Sequence, residues 1–202
     1  LSRLLLVRHG QTKLNDARRF WGKTDVELSD EGIRQAELLR DHLAAEKINV
    51  IYASSLSRAR MTAEIIGTSH HLKVTTCTEL DEIDFGLAEG LAFDEIQKLH
   101  PELSQELMNW EARPKFPGGE SLDEVNSRVQ QFVNRLKEHK PAETILIVAH
   151  FGTLRLAVCN LLGIRMEHWR QMQTDLASLS IVETYPQGAI LRLLSGVSHL
   201  KP

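Results

Sequence analysis

Cysteine is almost missing from this chain: Cys77 and Cys159 occur in 202 residues, far apart and in no CxxC pair. A disulfide framework is therefore not expected, a reducing cytoplasm fits, and both thiols read as small buried hydrophobes. Charge of one sign is missing too. Lys and Arg number 24 against 27 Asp and Glu, a formal net charge of −3. Such a chain does not recruit nucleic acid by its overall field, and an anion must be held by a local cluster of Arg and His. No apolar run is long enough for a membrane span, because residues 145–164 are broken by His150, Arg155 and Asn160. The opening residues carry no basic n-region and no small-residue cleavage site, so no signal peptide is expected. A GxxxxGK[ST] loop is absent, which excludes a P-loop NTPase. HExxH and other metal-type carboxylate–histidine spacings are absent as well, so no metal and no cofactor are expected.

What is there is a globular composition, 42% hydrophobic and 25% charged. The length implies a single domain over residues 1–202, able to bury about 70% of its unfolded surface. Leu4-Leu5-Leu6-Val7 is an unbroken apolar run that reads as a strand buried on both faces and ends at Arg8-His9-Gly10. Ser29 before Asp30-Glu31 marks a helix start, and Ile33, Ala36, Leu39 and Leu43 give that helix its apolar stripe. A strand over 48–53, a helix opening near Arg58 and a short strand at 74–76 follow. Residues 80–119 contain loop-like Gly86, Gly90, Pro114, Pro117 and Gly118-Gly119 around one helical piece, and read as a lid-like insertion. Ser121 and Glu124 match a capping box for a helix with Leu122, Val125, Val129, Phe132 and Leu136 on one stripe. A strand over 144–149 ends at His150, a further helix follows, and strands near 178–183 and 189–194 flank Pro186-Gln187-Gly188. This alternation predicts an α/β layered domain with a mostly parallel sheet.

Two histidines hold equivalent places in that pattern. His9 and His150 each follow a strand, and ligands of open α/β sheets bind at the carboxyl ends of strands. A third strand end leads to Arg58 at a helix N-terminus, where free N–H groups and the dipole attract phosphate. Arg8, His9, Arg58 and His150 thus converge on one rim.

The motifs then point to a family. Leu6-Val7-Arg8-His9-Gly10-Gln11-Thr12 resembles the signature of the histidine phosphatase superfamily, in its phosphoglycerate mutase-like branch. Residues 24–32, Ser54-Ser55-Leu56-Ser57-Arg58-Ala59, Leu80-Asp81-Glu82-Ile83-Asp84-Phe85-Gly86, Gly118-Gly119-Glu120-Ser121 and Val148-Ala149-His150 resemble its further motifs in order. The resemblance implies a three-layer α/β/α sandwich and a metal-independent phosphomonoesterase. His9 is implied as the nucleophile, Arg8, Arg58, His150 and Asn15 as phosphoryl ligands, and Glu82 as the proton donor. An imidazole can attack phosphorus, fixed cations stabilise the equatorial oxygens, and the leaving alkoxide needs a proton. Glu79, Asp81, Asp84 and Glu89 lie close to Glu82, and the residues alone do not choose among these five carboxylates. Glu120 is expected to serve its turn.

The chain departs from the pattern at the substrate side. Phe151 follows the second histidine where many members have Gly or Ala, and Trp21 stands where many have Gln before Gly22. Trp21, Gly22 and Phe151 are therefore the expected pocket residues, with flat walls for a ring-bearing substrate or mere packing as the two readings. The expected partner is a small phosphorylated metabolite, with α-ribazole phosphate of cobalamin assembly slightly favoured. A phosphoglycerate mutase is the alternative, and a non-catalytic phospho-binding regulator a further one. Oligomeric state is not readable beyond the general frequency of homodimers.

Overall fold

The computed structural model describes residues 2–14, 19–110 and 112–201. Six strands form one sheet: β1 (Ser2–Arg8), β2 (Val50–Ser54), β3 (Val74–Cys77), β4 (Thr144–Ala149), β5 (Leu179–Tyr185) and β6 (Gly188–Gly196). Their order is β3-β2-β4-β1-β5-β6, with the first four parallel and the last two joined antiparallel. Among the described residues, six α-helices accompany it: α1 (Asp30–Leu43), α2 (Ser57–Gly67), α3 (Phe93–Leu99), α4 (Pro101–Met108), α5 (Leu122–Arg135) and α6 (Phe151–Leu162).

Strand alternation explains the layers. Leu5 and Val7 of β1 and Leu146 and Val148 of β4 pack on Leu39 and Leu43 of α1 and Ala59, Ala63 and Ile66 of α2. Leu4, Leu6, Ile145 and Ile147 point the other way, onto Phe132 of α5 and Leu154 and Val158 of α6. Both sheet faces are therefore covered, which is why these strands are continuous apolar runs rather than alternating ones. The sheet is mixed, and the fold is the α/β type expected.

Local signals act as anticipated at the helix starts. The Ser29 hydroxyl accepts from the Gly32 amide at 3.1 Å, and Ser121 and Glu124 form a reciprocal capping box. One boundary and one element differ from expectation. β2 begins at Val50 rather than Ile48, because the Ile48 amide turns back to the Glu46 carbonyl, and Asn49 is the residue that joins Thr144. α4 was not anticipated, although Pro101 at its first position and Glu102 behind it form a favourable helix start. The segment 80–119 buries Ile96, Leu103 and Phe116 in a cluster with Val125 and Val129 of α5 and Leu156 of α6.

Candidate active site

Register places the two histidines. β1 and β4 are adjacent and parallel with Arg8 opposite Ala149, so the next residue of each strand emerges beside the other. The His9 amide donates to the Ala149 carbonyl at 3.1 Å, and the His9 and His150 rings lie 5.0 Å apart, centroid to centroid. On the far side of β4, β2 ends with Ser54 and leads into the first turn of α2, which carries Arg58. β3 ends opposite Ser54, and the turn after it returns Asp81 and Glu82 to the same rim. Parallel pairing thus brings together four strand ends separated by up to 140 residues of chain, counted from His9 to about 150. His9, Arg58, Glu82 and His150 are all buried there.

Each side chain is fixed by identifiable partners. His9 Nδ1 lies 2.7 Å from the Gly10 carbonyl, an obligate acceptor, so Nδ1 carries the proton and Nε2 keeps its lone pair. Burial first, then Arg58 and Arg8, hold the His9 pKa well below the ordinary histidine range, which leaves the ring neutral. Gly10 is required here by space: a Cβ on it would lie 2.5 Å from the Gly32 carbonyl oxygen at the start of α1. Arg58 donates through Nη1 to the Thr24 carbonyl at 2.8 Å, through Nη2 to the Gly22 carbonyl at 2.5 Å and through Nε to His150 Nδ1 at 3.2 Å. Two of its five N–H groups remain for a ligand. Arg8 is anchored through Nη1 to the Thr174 carbonyl at 2.7 Å, and its buried Nε has no hydrogen-bond partner among the described residues.

His150 is held in the other tautomer. Its Nδ1 faces the Arg58 N–H and must accept, so its Nε2 carries the proton and donates to Ser54 Oγ at 2.7 Å. Ser54 in turn donates to Asp81 Oδ1 at 2.7 Å. The result is a neutral ring in a one-way chain from Arg58 to Asp81. Burial, then Arg58 and His9, push its pKa well below the usual value, in agreement with a neutral ring.

The rival carboxylates separate by employment. Asp81 accepts from Ser54 and from the amide and hydroxyl of Ser55. Glu89 staples the 22–24 loop through the Gly22 and Lys23 amides and the Thr24 hydroxyl. Asp84 accepts from the Gly86 amide and pairs with Lys23, and Glu79 pairs with Arg135. Glu120 binds Arg128 through both oxygens and accepts from the Asp84 amide, the turn role expected of it. Glu82 alone of the five has no side-chain partner among the described residues. It rests on the Ile83 amide at 3.1 Å and on the Gly152 amide at 3.0 Å, within electrostatic reach of Arg8 and Arg58. Glycine at 152 makes that approach feasible, since a Cβ there would stand 2.7 Å from Glu82 Oε1.

Asn15 lies outside the described residues. Trp21 packs its ring against Gly90 and lines a surface depression with Gln11, Lys13, Leu14 and Arg19. Gly22 is used at both ends, its amide by Glu89 and its carbonyl by Arg58. Phe151 is half-buried, with the guanidinium carbons of Arg8 and Arg155 at 4.9 and 4.1 Å from its ring centroid. Sequence reasoning missed Thr174, which acts through its carbonyl and so leaves no side-chain signal. It also missed Arg128, which donates to the carbonyls of Glu79, Asp81 and Glu82 and fixes the acid-bearing turn. Arg155 did leave a signal, a lone cation in an apolar helix.

The depressed histidines have a consequence for stability. A histidine that stays neutral when folded but titrates near 6.5 when unfolded stabilises the fold above that pH. Its contribution falls as the pH drops below 6.5 toward the folded value. Between pH 6.5 and 5.5, His9 and His150 should each cost about 1 kcal/mol of folding free energy. Urea unfolding at the two pH values checks this, and His9→Gln should remove its share of the fall. An unchanged pH dependence in that variant would show that His9 is not held neutral.

Over residues 4–195 the chain matches the Histidine phosphatase superfamily (branch 1). It is 32% identical over 201 residues to phosphoserine phosphatase 1 of Hydrogenobacter thermophilus, covering 98% of this chain and 94% of that protein. The alpha-ribazole phosphatase structure from Shigella flexneri superposes with a TM-score of 0.88 at 29% identity, covering 96% of both chains. A mycobacterial glucosyl-3-phosphoglycerate phosphatase structure gives 0.87 at 27% identity, covering 96% of this chain and 99% of that one.

Proposed function

Because the chain belongs to the histidine phosphatase superfamily and is a phosphatase of that kind, we propose that it hydrolyses a small phosphomonoester through a phosphohistidine on His9. The observation that carries this reading is the His9 ring itself, held neutral by burial and by the charges of Arg58 and Arg8, with Nδ1 tied to the Gly10 carbonyl and Nε2 without a hydrogen-bond partner among the described residues. In the first step the Nε2 lone pair forms an N–P bond as the P–O ester bond breaks. Arg8 and Arg58 supply spare N–H groups to the equatorial oxygens, and His150 reaches the same oxygens by exchanging its Ser54 bond. Glu82 gives its proton to the departing oxygen. In the second step Glu82 takes a proton from water, whose oxygen bonds to phosphorus as the N–P bond breaks, and inorganic phosphate and neutral His9 are restored. Fixed cations and hydrogen-bond donors do the charge stabilisation, so activity is expected to survive excess EDTA and to be inhibited by vanadate.

For the substrate we favour α-ribazole phosphate. Support for this reading comes from Trp21, which precedes the residue whose carbonyl anchors Arg58 and lines a depression with Gln11, Lys13 and Arg19, where a flat indole would suit a fused-ring leaving group. The test is a panel of α-ribazole phosphate, phosphoserine, 3-phosphoglycerate and p-nitrophenyl phosphate, with and without 2,3-bisphosphoglycerate. We expect the highest kcat/KM on α-ribazole phosphate. Trp21→Ala should lower it about tenfold, the scale of one aromatic stacking contact, and leave phosphoserine unaffected. Equal losses on both would remove the ring-wall reading. Phosphoryl transfer between phosphoglycerates outrunning hydrolysis would make the protein a mutase, and no turnover on any ester would leave a phospho-binding regulator.

A further inference from the structure

Arg8 and Arg155 share one aromatic ring. Among the described residues Arg8 is anchored through the Thr174 carbonyl, and its Nε–H has no hydrogen-bond partner. The Arg8 guanidinium carbon lies 4.9 Å from the Phe151 centroid, and that of Arg155 lies 4.1 Å from the same point. Arg155 is 6% exposed, donates from Nη2 to the Arg170 carbonyl at 2.8 Å, and also has a buried Nε without a partner among the described residues. The series goes on. Arg155 lies 5.1 Å from the Trp169 ring, Arg170 lies 5.6 Å from it, and Arg170 donates to the Leu107 carbonyl at the end of α4. Guanidinium groups and rings thus alternate from the catalytic rim to the 80–119 segment.

Resting on the phosphatase reading above, we propose that Phe151 is a positioning residue for Arg8, with Arg155 the second cation on its ring. The physical reason lies in which part of the guanidinium is used. A carboxylate partner would hold Arg8 by consuming the N–H groups that a phosphoryl group needs. A ring face attracts the cation through its quadrupole and leaves the N–H edge free. It also gives two like charges, half-buried Arg8 and buried Arg155, a common attractive partner where direct contact between them would be repulsive. Gly or Ala at this position offers no such face, so this chain has a means of orienting Arg8 that those residues lack.

The experiment separates ring electrostatics from packing. Phe151 is replaced by Leu, by Tyr, and by 3,4,5-trifluorophenylalanine, which keeps the shape and weakens the quadrupole. KM on p-nitrophenyl phosphate and the inhibition constant of vanadate are measured for each. Phe151→Leu and the trifluoro variant should raise both constants together by about tenfold, with kcat changed less, whereas Phe151→Tyr should stay within about threefold of the parent. The fluorinated residue keeps the test open should Phe151→Leu fail to fold. Leu and trifluoro variants that bind vanadate like the parent would overturn the proposal while the phosphatase reading stood. A parent protein that neither turns over nor binds vanadate would instead overturn that reading.

Discussion

Glu82→Gln is expected to slow phosphoryl transfer from an alkyl phosphate by about 10²–10⁴-fold while slowing the same step far less on p-nitrophenyl phosphate. The difference follows from the leaving groups. An alkyl alkoxide is a strong base that cannot depart without a proton, whereas p-nitrophenolate leaves as its anion. The substitution suits the site, because a glutamine carbonyl oxygen can still accept from the Gly152 amide that holds Glu82 at 3.0 Å. Size and most of the hydrogen bonding are kept, and the transferable proton is lost. The burst phase is the quantity to measure, since Glu82 also serves the second step and steady-state rates combine the two. Equal burst losses on both substrates would mean that Glu82 acts through charge or structure. The acid would then have to be one of the carboxylates that the structure shows otherwise occupied, Asp81, Asp84 or Glu89.

That choice of acid shows where the sequence stops being informative. The strand runs were legible because burial on both faces leaves continuous apolar stretches, as at Leu4–Val7 and Ile145–Ala149. Helix starts were legible at Ser29 and Ser121 because capping is local chemistry. His9 and His150 could be placed at strand ends, but only the β1–β4 register makes them neighbours, and register is a property of the assembled sheet. The five carboxylates from Glu79 to Glu89 are equivalent in sequence. They become distinct when Ser55, Lys23, Arg135 and the 22–24 loop claim four of them. The charge state of His150 was likewise out of reach, because it depends on a donor from α2 meeting a ring after β4. Phe151 stood out as a departure, yet its neighbour Arg155 lies one helical turn on, and Arg8 comes from the end of β1.

His9→Ala carries the largest expected loss, roughly 10⁴–10⁶-fold in turnover, the scale on which removing a nucleophile acts. No neighbour can take over. His150 Nδ1 is engaged by Arg58 and its Nε2 bears a proton toward Ser54, so no ring nitrogen other than His9 Nε2 offers a lone pair at this rim among the described residues. Vanadate binding should weaken much less than turnover, because Arg8 and Arg58 keep their backbone anchors at Thr174, Thr24 and Gly22. The most direct measurement is rapid-quench trapping of the parent protein during hydrolysis of a labelled phosphomonoester. Phosphate should appear on His9 at a rate that supports turnover, labile to acid and stable to alkali as a phosphoramidate is, and it should be absent from His9→Ala. Turnover without a trapped phosphoprotein, label on His150, or label that persists in His9→Ala would contradict the account.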